Sequence, residues 1–311
     1  MGAKLLPQID PLPGKFPRMA HCLISFGSNL GDRFERIASA ARKLRADPVV
    51  HQFIASRLFE TPPIGGPSGQ SKFLNGVALL ETPASAREVL QLLQRVELDL
   101  GRERHQRWDA RSIDLDVVLY GDLQGQSAAL SVPHPRYPAR RFVLVPAAEI
   151  VGQWIDPRFG WSLEQLAEHL DAGPPSLALV GGARDLREQL CRDLTARHQV
   201  RTFISPEQPI TAAADEPWIA EFLPRLPVTS GKACHEASVP RLVAHLQWTT
   251  PESRWPATHQ IWQSTCRWPE YRLEVDAYDW AVDELASALD SMGCPLTPVT
   301  SDGLWYEEPL Q

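Results

Sequence analysis

The sequence predicts two folded units, an α+β unit of the ferredoxin-like βαββαβ type followed by an α/β unit. The first prediction follows from two segments with helical apolar spacing, 34–44 and 89–100, which alternate with four β-rich segments. The second follows from strands and helices that alternate beyond the DAGPP sequence of 171–175, whose composition indicates a linker. We therefore expect a disordered, proline-rich tail at 1–18, the first unit at 19–170, the linker at 171–175 and the second unit at 176–311.

Local patterns place the elements of the first unit. Strands are expected at 22–28, 49–61, 73–81 and 111–121, and helices at 32–46 and 85–100. The prolines and glycines of residues 62–67 require a loop, and Ser85 and Glu88 match a capping box at the start of the second helix. A βαββαβ sheet packs its helices on one face, so the other face is expected to be free of helices and open to a site.

The composition excludes several classes of protein. A net charge of −7 and a hydrophobic content of 43% are ordinary for globular proteins and argue against a general nucleic-acid binder. No apolar run approaches the roughly 18 residues of a membrane span. Four prolines interrupt the N-terminal segment, where a signal peptide would need a continuous apolar run. The five cysteines are widely spaced without a CxxC pair, which predicts reduced thiols and a cytoplasmic location.

The segment RSIDLDVVLYG, residues 111–121, carries two aspartates one residue apart in an apolar run. In a strand Asp114 and Asp116 share one face, roughly 7 Å apart along the chain, while Ile113, Leu115, Val117 and Leu119 share the other. Carboxylates at this spacing suit hard cations such as Mg²⁺, including two-metal sites. The alternative is a strand with one solvated face.

Basic residues flank this strand on both sides. The preceding loop, RERHQRWDAR, contains four arginines in ten residues: Arg102, Arg104, Arg107 and Arg111. Arginine binds phosphate with two parallel hydrogen bonds, so arginines beside metal ligands indicate a polyphosphate site, although a solvated charged loop is the alternative. Downstream, the run 132–146 adds His134, Arg136, Arg140 and Arg141.

A third feature suits a flat ring. Phe73 and Phe142 are candidates for stacking, and Asn75 can offer one donor and one acceptor to the edge of a ring. Either aromatic side chain alone is more typical of a core position.

Together these stretches resemble the 6-hydroxymethyl-7,8-dihydropterin pyrophosphokinases of folate biosynthesis over residues 20–170. The matching stretches are SFGSNLGDR (25–33), FETPPIG (59–65), FLNGV (73–77), VELDLGRER (96–104), RSIDLDVVLYG (111–121) and VPHPRYPARRFVLVPAAEI (132–150). They follow the order of the family, and no single short motif carries the resemblance.

The resemblance implies a reaction in which ATP donates its β,γ-pyrophosphoryl group to the hydroxymethyl group of the dihydropterin and leaves as AMP. It implies two Mg²⁺ ions on Asp114 and Asp116, with Arg104 and Arg111 along the phosphates and Arg102 and Arg140 nearby. The implied nucleotide-side residues are Glu97, Trp108, Ile113 and His134, and the implied pterin-pocket residues are Thr61, Pro63, Phe73, Asn75 and Phe142.

Two departures from the family pattern affect the expected site. Trp108-Asp109-Ala110-Arg111 stands where the family usually has Trp-Gly-Pro-Arg, in a loop that resembles the lid over ATP and is one residue shorter than in some members. Phe73 stands where tyrosine is often found, which keeps the stacking ring and loses a hydroxyl. Neither change removes a metal ligand, so an active enzyme is expected. The rival hypothesis is a regulatory protein that binds pterin or nucleotide without turnover.

In the second half, strands are expected at 177–180, 240–248 and 271–276 and a closing helix at 280–292. The glycine turn at Gly181 and Gly182 is similar to the phosphate loop of a P-loop nucleoside-kinase-like domain, but Leu186, Arg187 and Glu188 stand where Gly, Lys and Ser or Thr belong. This predicts a degenerate domain acting as a scaffold or in protein binding or self-association. The alternative is an activity that the sequence does not identify.

The second half also holds seven of the ten tryptophans. Two interpretations are open: several of these tryptophans belong to the core, or Trp255, Trp262 and Trp268 form an exposed contact patch, since Trp is favoured at interfaces.

Overall fold

A computed structural model describes residues 19–66, 69–101, 112–213, 215–227, 232–248, 255 and 267–307. The strands are β1 Ala20–Ser28, β2 Gln52–Ala55, β3 Phe59–Thr61, β4 Phe73–Thr82, β5 Asp114–Tyr120, β6 Gly125–Gln126, β7 Ser131–Val132, β8 Ser176–Gly181, β9 Arg201–Phe203, β10 Trp218–Ala220, β11 Leu242–Gln247, β12 Glu270–Glu274 and β13 Thr297–Pro298. The helices are α1 Arg33–Ala46, α2 Ala86–Asp99, α3 Arg141–Val151, α4 Leu163–Asp171, α5 Arg184–His198 and α6 Tyr278–Met292, with a short 3-10 helix at Tyr137–Ala139.

The first sheet is antiparallel at every described pairing. β4 pairs with β1 on one side and with β2 and β3 on the other, and β1 pairs with β5 at the edge. The prediction of a single strand at 49–61 is wrong, because this segment forms two strands, β2 and β3, separated by residues 56–58. At the interruption the Ser56 hydroxyl, rather than a backbone carbonyl, accepts the hydrogen bond from the Val77 amide (3.1 Å). The aspartate strand is therefore the fifth strand of the chain and not the fourth.

Both faces of this sheet are covered. Helices α1 and α2 pack on one face through an apolar cluster that includes Ile37, Leu44 and Val89. The opposite face was expected to be free of helices, and this expectation is wrong. Leu144 of α3 is part of a second cluster with Leu23 and Val77 of the sheet. The candidate site therefore lies beside a helix and not on an open sheet.

The alternation predicted for β5 holds over only part of the strand. Ile113, Leu115 and Val117 are buried in the cluster under α1 and α2, while Leu119 belongs to the cluster on the opposite face. The register between β1 and β5 shifts at Leu23 and Ile24, which leaves Val118 as an extra residue. A bulge of this kind reverses the alternation beyond it, so the prediction that Leu119 shares a face with Ile113 is wrong.

The second sheet is parallel, in the order β12-β11-β8-β10-β9. The predicted strands at 177–180, 240–248 and 271–276 are confirmed as β8, β11 and β12, and the closing helix is confirmed as α6. Strands β9 and β10 were not predicted. Each has three residues, which is too short to show a period-two pattern.

The C-terminal segment leaves the second sheet and returns to the first. Strand β13 pairs with β3, and the Leu58 carbonyl accepts the Val299 amide (2.8 Å). Trp305 is 9% exposed and lies in the cluster under α1 and α2, where its Nε1 donates to the Ser56 carbonyl (2.7 Å). Residues 297–307 thus pack with the first sheet, although the predicted boundaries assign them to the second unit.

Of the two interpretations of the tryptophans, the exposed patch is wrong for Trp268 and the core position is confirmed for it. Trp268 is 1% exposed and packs edge-on against Trp161 and His169 inside the core. Trp255 is half-buried beside the Arg272 guanidinium (5.4 Å), and Trp262 lies outside the described residues. Within the described part of the chain, no helix has the length and apolar character needed to cross a membrane.

Candidate active site

A cavity of about 220 Å³ opens on the α3 face of the first sheet, beside the aspartate end of β5. Its lining comes from strands of the first sheet, from the segment that leads into α3, and from β12 and α6 of the second half. The contributing residues are Ser25, Phe26, Gly27, Thr61, Pro62, Ile64, Gln70, Phe73, Asn75, Asp114, Asp116, Arg136, Ala139, Arg140, Phe142, Val143, Tyr271, Glu284, Ser287, Ala288 and Ser291.

Asp114 and Asp116 lie on the cavity side of β5, opposite Gly27 and Ser25 of β1. Both are half-buried, and Nη1 of Arg140 lies 3.7 Å from Oδ2 of Asp116. Two carboxylates on a rigid strand, open to a cavity, fit Mg²⁺, which binds one or two carboxylates together with substrate phosphates. No group of three or more potential metal ligands occurs among the described residues.

Gly27 forms the floor of the cavity between the aspartates and the aromatic end. A Cβ atom at this position would lie 3.3 Å from Oδ1 of Asn75 and 3.9 Å from Cβ of Asp114. A Cβ at this position would therefore be a tight contact for the Asn75 amide oxygen, and a longer side chain would extend into the cavity. Gly27 was not among the predicted site residues, although it lies within the SFGSNLGDR stretch.

The other end of the cavity carries the residues expected to hold a ring. Asn75 is 5% exposed, and its Nδ2 donates to Oγ1 of Thr61 (2.8 Å), so one amide hydrogen is already used and the orientation of the side chain is held. Phe73 and Phe142 both line the cavity. Pro63 does not line it; its neighbours Pro62 and Ile64 do.

His134 lies close to the cationic side of the site, although it is not among the residues that line the cavity. Burial, followed by the positive charges of Arg140 and Arg136, holds the pKa of His134 well below its usual value. Its Nδ1 accepts the Arg136 amide (3.1 Å), so the neutral ring carries its proton on Nε2. His134 is thereby prepared to donate one hydrogen bond.

Two residues expected on the nucleotide side are buried next to β5, and their roles toward the nucleotide stay predictions. Glu97 is 3% exposed, and its Oε1 accepts the amide of Leu115 (2.8 Å), between the two aspartates. β5 is an edge strand of the sheet, so the Leu115 amide points away from β1 and has no partner among the described strands. Glu97 accepts this amide and thereby holds the backbone between the two aspartates in place. Ile113 is fully buried in the cluster under α1 and α2.

Comparison with known proteins decides the family. The sequence model described as 7,8-dihydro-6-hydroxymethylpterin-pyrophosphokinase (HPPK) matches residues 23–152, which extend from within β1 through β5 to the end of α3. The 2-amino-4-hydroxy-6-hydroxymethyldihydropteridine pyrophosphokinase of Synechocystis sp. is 36% identical over 160 residues, which cover 51% of this chain and 81% of that protein. The chain belongs to the HPPK family.

A second relative agrees with this assignment. The pyrophosphokinase of the same name from Bacillus subtilis is 39% identical over 130 residues, 42% of this chain and 77% of that protein. The resemblance described from the sequence is therefore confirmed, and with it an HPPK-type α+β fold for the first unit. A solved HPPK-DHPS structure from Plasmodium falciparum superposes with a TM-score of 0.40 at 10% identity, covering 58% of this chain and 55% of that one.

The HPPK match assigns no role to an individual residue, so every residue role in the candidate site stays a prediction. Arg102, Arg104, Trp108 and Arg111 of the expected lid lie outside the described residues, so their roles stay predictions. Tyr271, Glu284, Ser287, Ala288 and Ser291 line the cavity but lie beyond the matched residues. Sequence reasoning missed these five, because more than 100 residues separate them from β5 and no local pattern connects the two regions.

Proposed function

We propose that the protein transfers the β,γ-pyrophosphoryl group of ATP to 6-hydroxymethyl-7,8-dihydropterin, giving AMP and the pterin diphosphate, in folate biosynthesis. One observation carries the proposal. In a chain of the HPPK family, one cavity has the carboxylates of Asp114 and Asp116 at one end, with two arginines of which one pairs with Glu284. At its other end it has the rings of Phe73 and Phe142 and the fixed amide of Asn75. Such a cavity matches a substrate with a flat polar ring and a phosphate-bearing partner.

Each end of the cavity has a distinct role in this reaction. Phe73 and Phe142 hold the ring, and Asn75 binds its edge, so that the hydroxymethyl oxygen points toward the aspartates. Arg140 and the Nε2 proton of His134 bind the phosphates. The hydroxymethyl oxygen bonds to the β-phosphorus as the bond from that phosphorus to the α,β-bridging oxygen breaks and AMP leaves, and the hydroxyl proton is released to solvent. Positioning and charge neutralisation supply most of the rate enhancement in phosphoryl transfer of this kind.

Asp114 and Asp116 would hold Mg²⁺ with the triphosphate, and we propose two ions. The metal supplies neutralisation of the charge on the phosphate oxygens. The chain itself supplies the rigid strand that presents both carboxylates, braced by Glu97 from the outer edge.

The test of this function is an assay for AMP with the full-length protein, ATP, Mg²⁺ and the reduced pterin. We expect stoichiometric AMP and pterin diphosphate, with no AMP when the pterin is omitted. Tight pterin and ATP binding without any AMP, from protein that circular dichroism shows to be folded, would support the regulatory alternative and contradict the proposal.

Substitution of Gly27 with valine tests the ring end of the cavity. The added methyl groups would lie between Asn75 and Asp114, so we expect the KM for the pterin to rise by about tenfold or more, a binding loss of about 1.4 kcal/mol. Gly125→Val is the matched control, since a Cβ there would meet only a Leu123 methyl at 3.9 Å. The measurement is the steady-state rate at varied pterin concentration. An unchanged KM for the pterin in Gly27→Val would contradict the placement of Gly27 at the floor of the pterin site.

We further propose that the first unit is ferredoxin-like and that the second is a P-loop-kinase-like fold without a phosphate loop. The central position of β8, followed by a glycine turn and α5, supports the second classification. The turn is closed by Arg187, whose Nη1 donates to the carbonyls of Gly181 (2.9 Å) and Gly182 (3.0 Å). Equilibrium dialysis should therefore find one ATP per chain, and a second tightly bound ATP would contradict the proposal.

The cellular location and the association of the protein with partners are also proposals. The four described cysteines are free and buried, which supports a reducing, cytoplasmic location. Association with a protein partner or a second copy through the second half is proposed from its tryptophan content alone, and Trp248, which is 54% exposed, is the described residue that best supports it.

A further inference from the structure

Helix α6 of the second half lines the same cavity as the HPPK residues. Glu284, Ser287, Ala288 and Ser291 follow the spacing i, i+3, i+4 and i+7, so they form one face of the helix over roughly 10 Å. This face is therefore long enough to border most of the cavity.

Contacts with both ends of the cavity hold this helix in place. At its first turns, Oε1 of Glu284 lies 3.2 Å from Nε of Arg136 and accepts the Tyr271 hydroxyl (2.7 Å), and the ring of Trp280 packs against the Arg136 guanidinium (4.6 Å). The Glu284–Arg136 pair is largely buried, with side chains 9% and 18% exposed.

Just beyond the last turn, Arg141 Nη1 donates to the Cys294 carbonyl (3.0 Å), and the Cys294 thiol lies beside Thr61. The helix thus runs from the arginine end of the cavity to the ring end. Its position is set by residues of the first unit at both ends.

Two hydroxyl groups on this face are open to the cavity. Ser287 and Ser291 are 9% and 6% exposed, and among the described residues neither hydroxyl has a hydrogen-bond partner. Serine within a helix can satisfy its hydroxyl by bonding to the carbonyl four residues earlier, as Thr195 does with Cys191 in α5 (3.1 Å). Because both serines line the cavity, their hydroxyls are available to hydrogen-bond a polar ligand there in place of water.

We propose that α6 is a wall of the substrate site and that Ser287 and Ser291 hydrogen-bond the heterocyclic ring of the acceptor substrate, with Ala288 setting the space between them. The inference rests on the proposed function for the identity of the ring. A hydroxyl both donates and accepts, which suits a heterocycle whose edges alternate ring nitrogens, an amino group and a carbonyl. The second half is then a fixed part of the substrate site in addition to any other role.

The test uses the full-length chain with the Ser287→Ala/Ser291→Ala double variant and, separately, Ala288→Leu. Loss of two neutral hydrogen bonds should raise the KM for the reduced pterin by about tenfold, while the KM for ATP stays within about twofold. Ala288→Leu adds bulk to the wall and should raise the KM for the pterin at least as much. Asp283→Leu is the control, since Asp283 is exposed on the same helix and pairs only with the exposed His198 among the described residues.

An unchanged KM for the pterin in the double variant would overturn the proposal. If Ala288→Leu does not fold by circular dichroism, the double variant decides alone, because removing two hydroxyl oxygens leaves the packing of the helix intact. If the wild-type protein forms no AMP, the proposed function fails by itself. The role of Ser287 and Ser291 is then tested separately by calorimetry. The wild type and the double variant are titrated with the pterin in the presence of a non-hydrolysable ATP analogue, and equal pterin affinities would overturn the proposal.

Discussion

Substitution of Asp116 with alanine is expected to lower kcat by roughly 10²–10³-fold, the usual loss when one preorganised electrostatic group is removed. Asp116 lies on the cavity face of β5 with Arg140 Nη1 at 3.7 Å, where it would hold Mg²⁺ with the phosphates. Its side chain is 37% exposed, so its loss should leave the fold intact. The measurement is AMP release under saturating ATP, Mg²⁺ and pterin, with the melting temperature recorded in parallel.

The control for this prediction is Asp122→Ala, which removes an exposed carboxylate just beyond the same strand. It should keep wild-type turnover, and Asp116→Asn should lose nearly as much as Asp116→Ala, because the amide has the shape of the carboxylate without its charge. More than half of the wild-type rate in Asp116→Ala would remove the metal-binding role assigned to this residue.

Substitution of Trp305 with alanine is expected to lower the free energy of unfolding by about 3–5 kcal/mol, the range for a buried tryptophan. The indole packs edge-on against Phe26 (6.1 Å between ring centroids) and Tyr306 (5.4 Å), and its Nε1 donates to the Ser56 carbonyl (2.7 Å). Urea unfolding followed by circular dichroism measures the effect.

The neighbouring Leu304→Ala is the control, because Leu304 is 57% exposed and should change stability by less than about 0.5 kcal/mol. Trp305→Phe should fall between the two, since it keeps an aromatic ring and loses the hydrogen bond to Ser56. A loss below about 1 kcal/mol in Trp305→Ala would show that the C-terminal segment is not part of the core of the first unit. Phe26 also lines the cavity, so we expect the pterin KM of Trp305→Ala to rise as well.

Local patterns predicted much of the first unit correctly. The capping box at Ser85 and Glu88 is present, and α1 and α2 lie where apolar spacing placed them. Asp114 and Asp116 share a face because alternation is a property of any regular strand. The break at Ser56 and the bulge at Val118 were not predictable, since each depends on which residue of a distant strand is opposite.

The candidate site was likewise predicted from the sequence only in part. Thr61, Phe73, Asn75 and Phe142 were grouped from the family motifs, and all four line one cavity. The nucleotide-side role of Glu97 stays a prediction, whereas the hydrogen bond that its carboxylate accepts from the Leu115 amide was not predictable, because it depends on how α2 packs beside β5.

The sequence by itself determined the family, the aspartate pair and the positions of α1 and α2, because these depend on residue types close together in the chain. Only the tertiary structure decided that α6 borders the cavity, that Glu284 pairs with Arg136 and that Trp305 returns to the first sheet. These contacts join residues separated by more than 140 positions, so no local periodicity records them. They form because the apolar faces of the two halves are buried in one continuous cluster, which places α6 against the active site.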